Sequence, residues 1–207
     1  MNKDIITIGA ADIFDLAEIC GMNVIGYCGL ERLDRSRYRD FSWLGADPVA
    51  VARVHSGAAF AVSLSSNERR RAIMADLMAA GIEIVSLTAP QASIFPSARL
   101  GRGATIQPSA VISSNARLGD GVYINYGALV GHDVEIGDFS FVAPGAQLLG
   151  EARLGDGCFL GANAVVFPRV NVGEGARISA GCILRRDVPA GATVHCEQRQ
   201  RTVGGGA

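Results

Sequence analysis

Apolar positions along this 207-residue chain follow two different periods, and the change falls near residue 94. Up to about Thr88, short apolar runs alternate with stretches of helical spacing: Ile5 to Gly9, Ile13 to Cys20, Val24 to Cys28, Ala58 to Leu64, Asn67 to Ala80 and Ile82 to Leu87. Strands alternating with helices predict βαβ units and a parallel sheet. The clearest element is a helix over 67–80. Ser65 and Glu68 stand at capping-box spacing before it, Ile73, Met74, Leu77 and Met78 recur at helical intervals, and Gly81 follows as a stop.

From Ile94 the period is six. Steps of six from Ile94 to Leu184 meet an aliphatic residue at all sixteen positions, with no insertion. Four places after each of these stands a small residue, such as Ala98, Ala104, Ala110, Ser140, Cys158 or Ala176. A helix or a hairpin array would not hold this period over so long a span, whereas a solenoid with three flat faces per turn would. The expected fold is therefore α/β followed by β. A small N-terminal βαβ parallel-sheet domain of Rossmann-like type (1–90) precedes a left-handed parallel β-helix of a little over five coils (91–190) and a C-terminal tail (191–207). Glycines at 101, 119, 131, 137, 155, 161 and 173 follow the aliphatic position, where corner backbones or a closely approaching ligand favour a missing Cβ. After Leu184 the period stops, and Arg185, Arg186, Asp187 and Pro189 are expected to leave the solenoid.

Composition fits this division. Seven of the 26 glycines precede residue 94, and only 6% of residues are aromatic, as a thin prism requires. A net charge of -1 supplies no basic field for nucleic acid or an anionic membrane surface. No apolar run approaches the roughly 18 residues needed to span a bilayer, and Met1-Asn2-Lys3-Asp4 lacks a signal-peptide layout, so no membrane insertion and a cytoplasmic location are expected. Five scattered cysteines without a CxxC predict reduced packing thiols.

Candidate chemistry is sparse. Of three histidines, His132 lies outside the inward aliphatic position, next to Asp133 and seven residues after Asn125. An exposed histidine oriented by a carboxylate can act as a general base near neutral pH, and an idle surface histidine is the alternative. His55 is expected to close a short helix, and His195 to lie on the surface. A solenoid zinc site would need three histidines, and only His132 lies on the prism, so no metal is expected.

The segments Ile124-Asn125-Tyr126-Gly127-Ala128-Leu129-Val130-Gly131-His132-Asp133-Val134-Glu135-Ile136-Gly137-Asp138-Phe139, Val142 to Ala146, Leu149 to Ala152 and Phe159 to Ala164 resemble the hexapeptide-repeat acyltransferases. The resemblance is to the bacterial sugar acetyltransferases, which include sialic acid O-acetyltransferases and N-acetyltransferases of UDP-4-amino-sugars. Ser65 to Arg69 and Ile94 to Ala98 are similar to that family's interdomain junction. The resemblance implies acetyl transfer from acetyl-CoA to a sugar or nucleotide-sugar acceptor in surface-glycan synthesis, by a homotrimer with its active site between neighbouring prisms. It also implies that His132 takes the acceptor's proton, that Asp133 raises the basicity of the imidazole, that the Gly150 amide lies near the thioester carbonyl, and that Ala162 and Gly181 line the pantetheine groove. Phe141 stands where some members carry a second histidine at the cofactor.

Asn125, Gly9, Ala10 and Ala11 fall at acceptor-binding positions by the same resemblance. Here, however, Gly9-Ala10-Ala11-Asp12-Ile13-Phe14 replaces a Gly-x-Gly-Gly-His-Gly-like phosphate loop, and Cys28-Gly29, or Glu31 and Asp34 further on, replaces the acidic pair that meets the base. These departures leave open a small non-nucleotide acceptor, or an inactive scaffold. Arg185, Arg186, Arg199 and Arg201 are placed to meet CoA phosphates or to form a solvated tail.

Overall fold

The computed structural model describes residues 3–9, 12–30 and 41–196. Strands β1 (Asp4–Gly9), β2 (Asn23–Cys28), β3 (Trp43–Gly45) and β4 (Ala59–Ser63) form one parallel sheet in the order β3-β2-β1-β4. Helices α1 (Asp12–Ile19), α2 (Pro48–Val54) and α3 (Asn67–Ala79) connect and flank them. Ile5 on one face of the sheet packs with Ile13 and Phe14, and Ile6 and Ile8 on the other pack with Met74 and Leu77, which is why β1 reads as an unbroken apolar run. The N-cap of α3 is Ser66, whose hydroxyl accepts from the Arg69 amide at 3.3 Å, so the cap lies one residue beyond the expected Ser65. The run from Ile82 to Leu87 is not a strand of this sheet. It makes one bridge, Phe60 to Ile84, and Leu87 then joins the solenoid.

The solenoid comprises eighteen two-residue strands, from Leu87–Thr88 to Thr193–Val194, in three parallel sheets. It is a left-handed parallel β-helix of six coils, longer at both ends than the apolar repeat predicts. At the front, Thr88 pairs with Ile106 in register but is polar, so the first strand is hidden from an aliphatic count. At the rear, Val172 bridges Val188 and Ile178 pairs with Val194, an offset of sixteen residues where the other coils have eighteen. The chain thus loses two residues after Leu184 and then resumes the repeat.

Each hexad spends its residues in a fixed way. The aliphatic and small positions fill the prism and are almost wholly buried from Ala104 to Leu184. At every sixth residue from 103 to 181 the backbone takes φ between 55° and 71°, at glycine in half of the cases and at residues such as Asn115, Asp133 and Phe139 in the others. The glycines after the aliphatic position serve a different need from ligand approach. A Cβ on Gly161 would lie 2.5 Å from the Ala180 amide nitrogen, and one on Gly155 2.6 Å from that of Glu174, so these glycines let successive coils stack.

The three outer faces differ. One carries Arg99, Arg117, Glu135, Arg153 and Asn171; the second carries Ser93, Val111, Leu129, Gln147, Val165 and Ile183. The third, with Thr105, Tyr123 and Phe141, is buried where the N-terminal sheet and its helices cover it. Docking depends on Arg70 of α3, which is fully buried and has no carboxylate partner among the described residues. Its Nε donates to Gly121 O at 2.6 Å and its Nη2 to Phe139 O at 2.8 Å, one coil away, while Nη1 donates to Leu64 O. Asn67 Nδ2 donates to Gly157 O at 2.9 Å on the next coil again. Burial pushes the Arg70 guanidinium down to about 10, so it stays charged at neutral pH. Among the described residues no helix is long and apolar enough to cross a membrane.

Arg70→Ala leaves several buried carbonyls without donors, each costing about 1–3 kcal/mol, so an unfolding free energy lower by on the order of 3 kcal/mol is expected in urea titration. Arg70→Lys should recover little of it, because one ammonium cannot replace a planar fork that reaches two coils.

Candidate active site

The turn from the second face to the first is built once per coil. In successive coils its left-handed position is Asn115, Asp133, Glu151 and Arg169. His132 precedes this position, and its coil neighbour eighteen residues on is Gly150. The backbone there is pinned, with the Glu151 amide donating to His132 O at 2.9 Å and the Asp133 amide to Ser114 O at 2.9 Å. The imidazole lies over Gly150, so that a Cβ on Gly150 would fall 2.5 Å from Cε1 and closer still to Nε2. Gly150 is thus required by the position of the ring. His132 Nδ1 lies 2.9 Å from Asp133 Oδ2, and Asp133 Oδ1 accepts from Asn115 Nδ2 at 3.1 Å. With Nδ1–H given to Asp133, Nε2 keeps its lone pair for a proton. The hydrogen bonds from His132, first, and Asn115 hold the Asp133 carboxyl below its ordinary value. The His132 side chain is 61% exposed, so one chain leaves the imidazole open on one side. An open groove of about 610 Å³ continues from it along the first face, lined by Arg99, Asn115, Arg117, Asp133 and Glu135.

The other expected site residues lie elsewhere. Phe141 is buried on the covered face, its centroid 4.8 Å from that of Tyr123 and 5.3 Å from that of Phe159, so its ring fills an aromatic stack. Ala162 and Gly181 meet at a different corner, where the Gly181 amide donates to Ala162 O at 2.8 Å. Asn125 folds its amide oxygen back onto the Tyr126 N–H, 2.8 Å away. Gly9 ends β1, where any Cβ would strike the carbonyl oxygen of Ser63, so strand packing alone accounts for this glycine. Ala10, Ala11, Glu31, Asp34, Arg199 and Arg201 lie outside the described residues. Asp12 turns toward the solenoid, with Gln107 Nε2 at 3.4 Å from its carboxylate and 2.7 Å from Tyr123 Oη. A cavity of about 680 Å³ opens at the carboxyl ends of β1 and β2, lined by Gly9, Cys28, Gly29, Leu64 and Arg69. That is where parallel α/β sheets place ligands. Burial, with Asp47 nearby, pushes the Cys28 thiol up to about 11, which makes it an inert wall.

Residues 133–168 match the bacterial transferase hexapeptide (six repeats), and residues 152–186 match the hexapeptide repeat of succinyl-transferase. Among solved structures, the chain is similar to a histidine-to-asparagine variant of perosamine N-acetyltransferase from Caulobacter crescentus in complex with CoA and GDP-perosamine. The identity is 25%, the TM-score 0.86, and 93% of each chain is covered. It is similar also to the acetyltransferase domain of PglB from Neisseria gonorrhoeae in complex with acetyl coenzyme A, at 27% identity and TM-score 0.83, covering 93% of this chain and 96% of that one. Residues 133–186 thus carry the hexapeptide repeat of bacterial transferases. WeeI from Acinetobacter baumannii, at 20% identity and TM-score 0.76 over 92% of this chain and 96% of that one, shares the fold. No curated protein matches the sequence.

His55 closes α2 as its C-cap, as its position in the sequence predicts. His195 is exposed, with Nδ1 2.8 Å from Ser179 Oγ. Arg185 stacks on Phe167 at 5.0 Å. Cys182 and Cys196 are disulfide-bonded, which corrects the expectation of reduced thiols for that pair; Cys20, Cys28 and Cys158 are free. Asn115 is the site residue that sequence reasoning missed. Its signal was available, since it lies eighteen residues before Asp133 and so directly beneath it.

Gly150→Ala should move the imidazole off its shelf and break the Nδ1 contact with Asp133, visible in a crystal structure of the variant as a rotated His132 ring. Asp133 should titrate below the ordinary carboxylate value of 3.8, as followed by carbon NMR of its carboxyl. Because its folded value is lowered, its contribution to stability is present above that ordinary value and is lost as pH falls through the lowered one.

Proposed function

We propose that this protein transfers an acetyl group from acetyl-CoA to an amino or hydroxyl group of a sugar or nucleotide sugar used in surface-glycan synthesis, with His132 as general base. One observation carries the reading: an exposed imidazole whose Nδ1 is held by Asp133, leaving Nε2 free beside the Gly150 backbone. The acceptor nitrogen or oxygen attacks the thioester carbonyl while His132 Nε2 takes its proton. The carbon–sulfur bond then breaks, and the imidazolium returns the proton to the departing CoA sulfur. The tetrahedral oxyanion needs a donor, and the Gly150 amide, beside the imidazole, has no acceptor among the described residues. Acetyl-CoA supplies the acyl group, and Ala162 and Gly181 would line its pantetheine arm.

The assembly is a homotrimer. A half-open base on one edge, and the Ala162–Gly181 corner on another, are joined when neighbouring prisms pack side by side. The second face, with Val111, Leu129, Val165 and a half-exposed Ile183, supplies an apolar strip for that packing. The N-terminal sheet and its helices hold the acceptor, and the solenoid, which begins at Leu87 and includes Thr193–Val194 rather than ending at residue 190, carries out the transfer.

A small non-nucleotide acceptor is the second reading. It is favoured by the Asp12 carboxylate, which is turned into the junction and would repel a phosphate there. Calorimetry with UDP-, CMP- and GDP-sugars separates the two, since tight binding of any of them removes the second.

His132→Ala should lower acetyl transfer by about 10²- to 10⁴-fold while CoA binding and oligomeric state remain as in the unaltered protein. Thiol release in an acceptor screen, with calorimetry for CoA, checks this; near-normal turnover would sink the assignment of the base.

A further inference from the structure

The geometry points to Asn115 as a positioning residue that acts on His132 through Asp133, an inference that rests on the reading of His132 as the base. Three coils contribute to one column. Ser97 Oγ accepts from the Asn115 amide at 3.0 Å, Asn115 Nδ2 donates to Asp133 Oδ1 at 3.1 Å, and Asp133 Oδ2 faces His132 Nδ1 at 2.9 Å. The Asn115 and Asp133 backbones both have left-handed φ, 59° and 57°, a conformation that Asn and Asp tolerate better than other side chains. Their side chains therefore leave the corner in the same direction, one coil apart, and meet.

A neighbouring corner shows what a purely structural ladder looks like. There Asp120 Oδ1 accepts from the Arg102 amide at 2.7 Å, Asp138 Oδ1 from the Asp120 amide at 2.8 Å, and Asp156 Oδ1 from the Asp138 amide at 2.8 Å. Those carboxylates satisfy backbone donors of the coil before. Asp133 stands one place later in its hexad, at the left-handed position, and both of its oxygens are engaged by side chains. One is fixed by Asn115 so that the other points at the imidazole. Asp133 is about half exposed, and an unrestrained carboxylate there would turn both oxygens to water. Asn115 prevents this without adding charge, because an amide donor leaves the carboxylate ionised. The groups facing the pair are Arg117 and Glu135 on the first face and Glu151 on the next coil, with Arg169 3.9 Å from Glu151.

The test uses the full chain and the variant Asn115→Gly, which keeps the left-handed backbone and deletes only the amide. The His132 titration midpoint is read by NMR in the unaltered protein, Asn115→Gly, Asp133→Asn and the double variant. The midpoint should fall in Asn115→Gly, because the imidazolium loses a fixed anionic partner, and should fall no further when Asn115→Gly is added to Asp133→Asn. The kcat should drop about threefold to tenfold with KM unchanged, and the acidic limb of the kcat profile should move with the midpoint. A midpoint equal to that of the unaltered protein, or one lowered equally in the presence and absence of the Asp133 carboxylate, would overturn the inference. Since the titration is read without substrate, it is decided separately from the assignment of the base, which stands or falls on turnover of His132→Ala.

Discussion

The eighteen-residue coil is the constraint from which the rest of the molecule follows. Parallel pairing of Arg117 with Glu135, and of Glu135 with Arg153, sets each residue above its equivalent in the coil before. Hydrogen bonding between coils keeps the offset constant, and the aliphatic residue of each hexad locks it from inside, since a slip of one position would turn every side chain around. Placement on the surface is therefore arithmetic. Gly150 lies against His132, one coil further on, because the two differ by eighteen, and Asn115 meets Asp133 for the same reason.

The same register makes the interface between the two domains possible. Carbonyls of Gly121, Phe139 and Gly157 recur at one corner at coil spacing, and α3 lies across them with Arg70 and Asn67 as donors. A buried guanidinium without an anion is costly in isolation, yet each carbonyl dipole offsets part of the desolvation. Glycine at 121 is needed twice over. Its φ is +62°, and a Cβ would lie 2.6 Å from the Phe139 ring. The helix thereby holds the cavity at the carboxyl ends of β1 and β2, with Arg69 on its wall, at a fixed place relative to the solenoid.

Much of this was legible in the chain. The hexads predict the prism, and the helical spacing from Ile73 to Met78 predicts α3. His132 and Asp133 are adjacent in sequence, so their contact needs no long-range knowledge. Errors arose where one signal served two purposes. Leu87 completes an apolar run typical of a strand, but Leu87 packs with the N-terminal core while its backbone pairs with Thr105 of the solenoid. Thr88 hides the first coil because it is polar, and the shortened turn after Leu184 hides the last because it puts Val188 and Val194 two residues out of step. Nothing local to residues 69–71 says which arginine turns inward, since the solenoid carbonyls that Arg70 meets are more than fifty residues away. The disulfide between Cys182 and Cys196 was obscured for a similar reason, as its second partner follows the shortened turn.

That shortened turn separates two kinds of corner. Deleting two residues between Leu184 and Val188 displaces only the strands that follow, because the offset falls to sixteen and the stack ends shortly after. The same deletion between Asn115 and Gly150 would put every later residue out of step with its partner below, and with it the imidazole, its carboxylate and the glycine shelf. A loss of length is thus absorbed at the end of the prism, whereas in the middle a substitution leaves the register of the site intact. New chemistry arises there one corner residue at a time, on a surface whose geometry is already set.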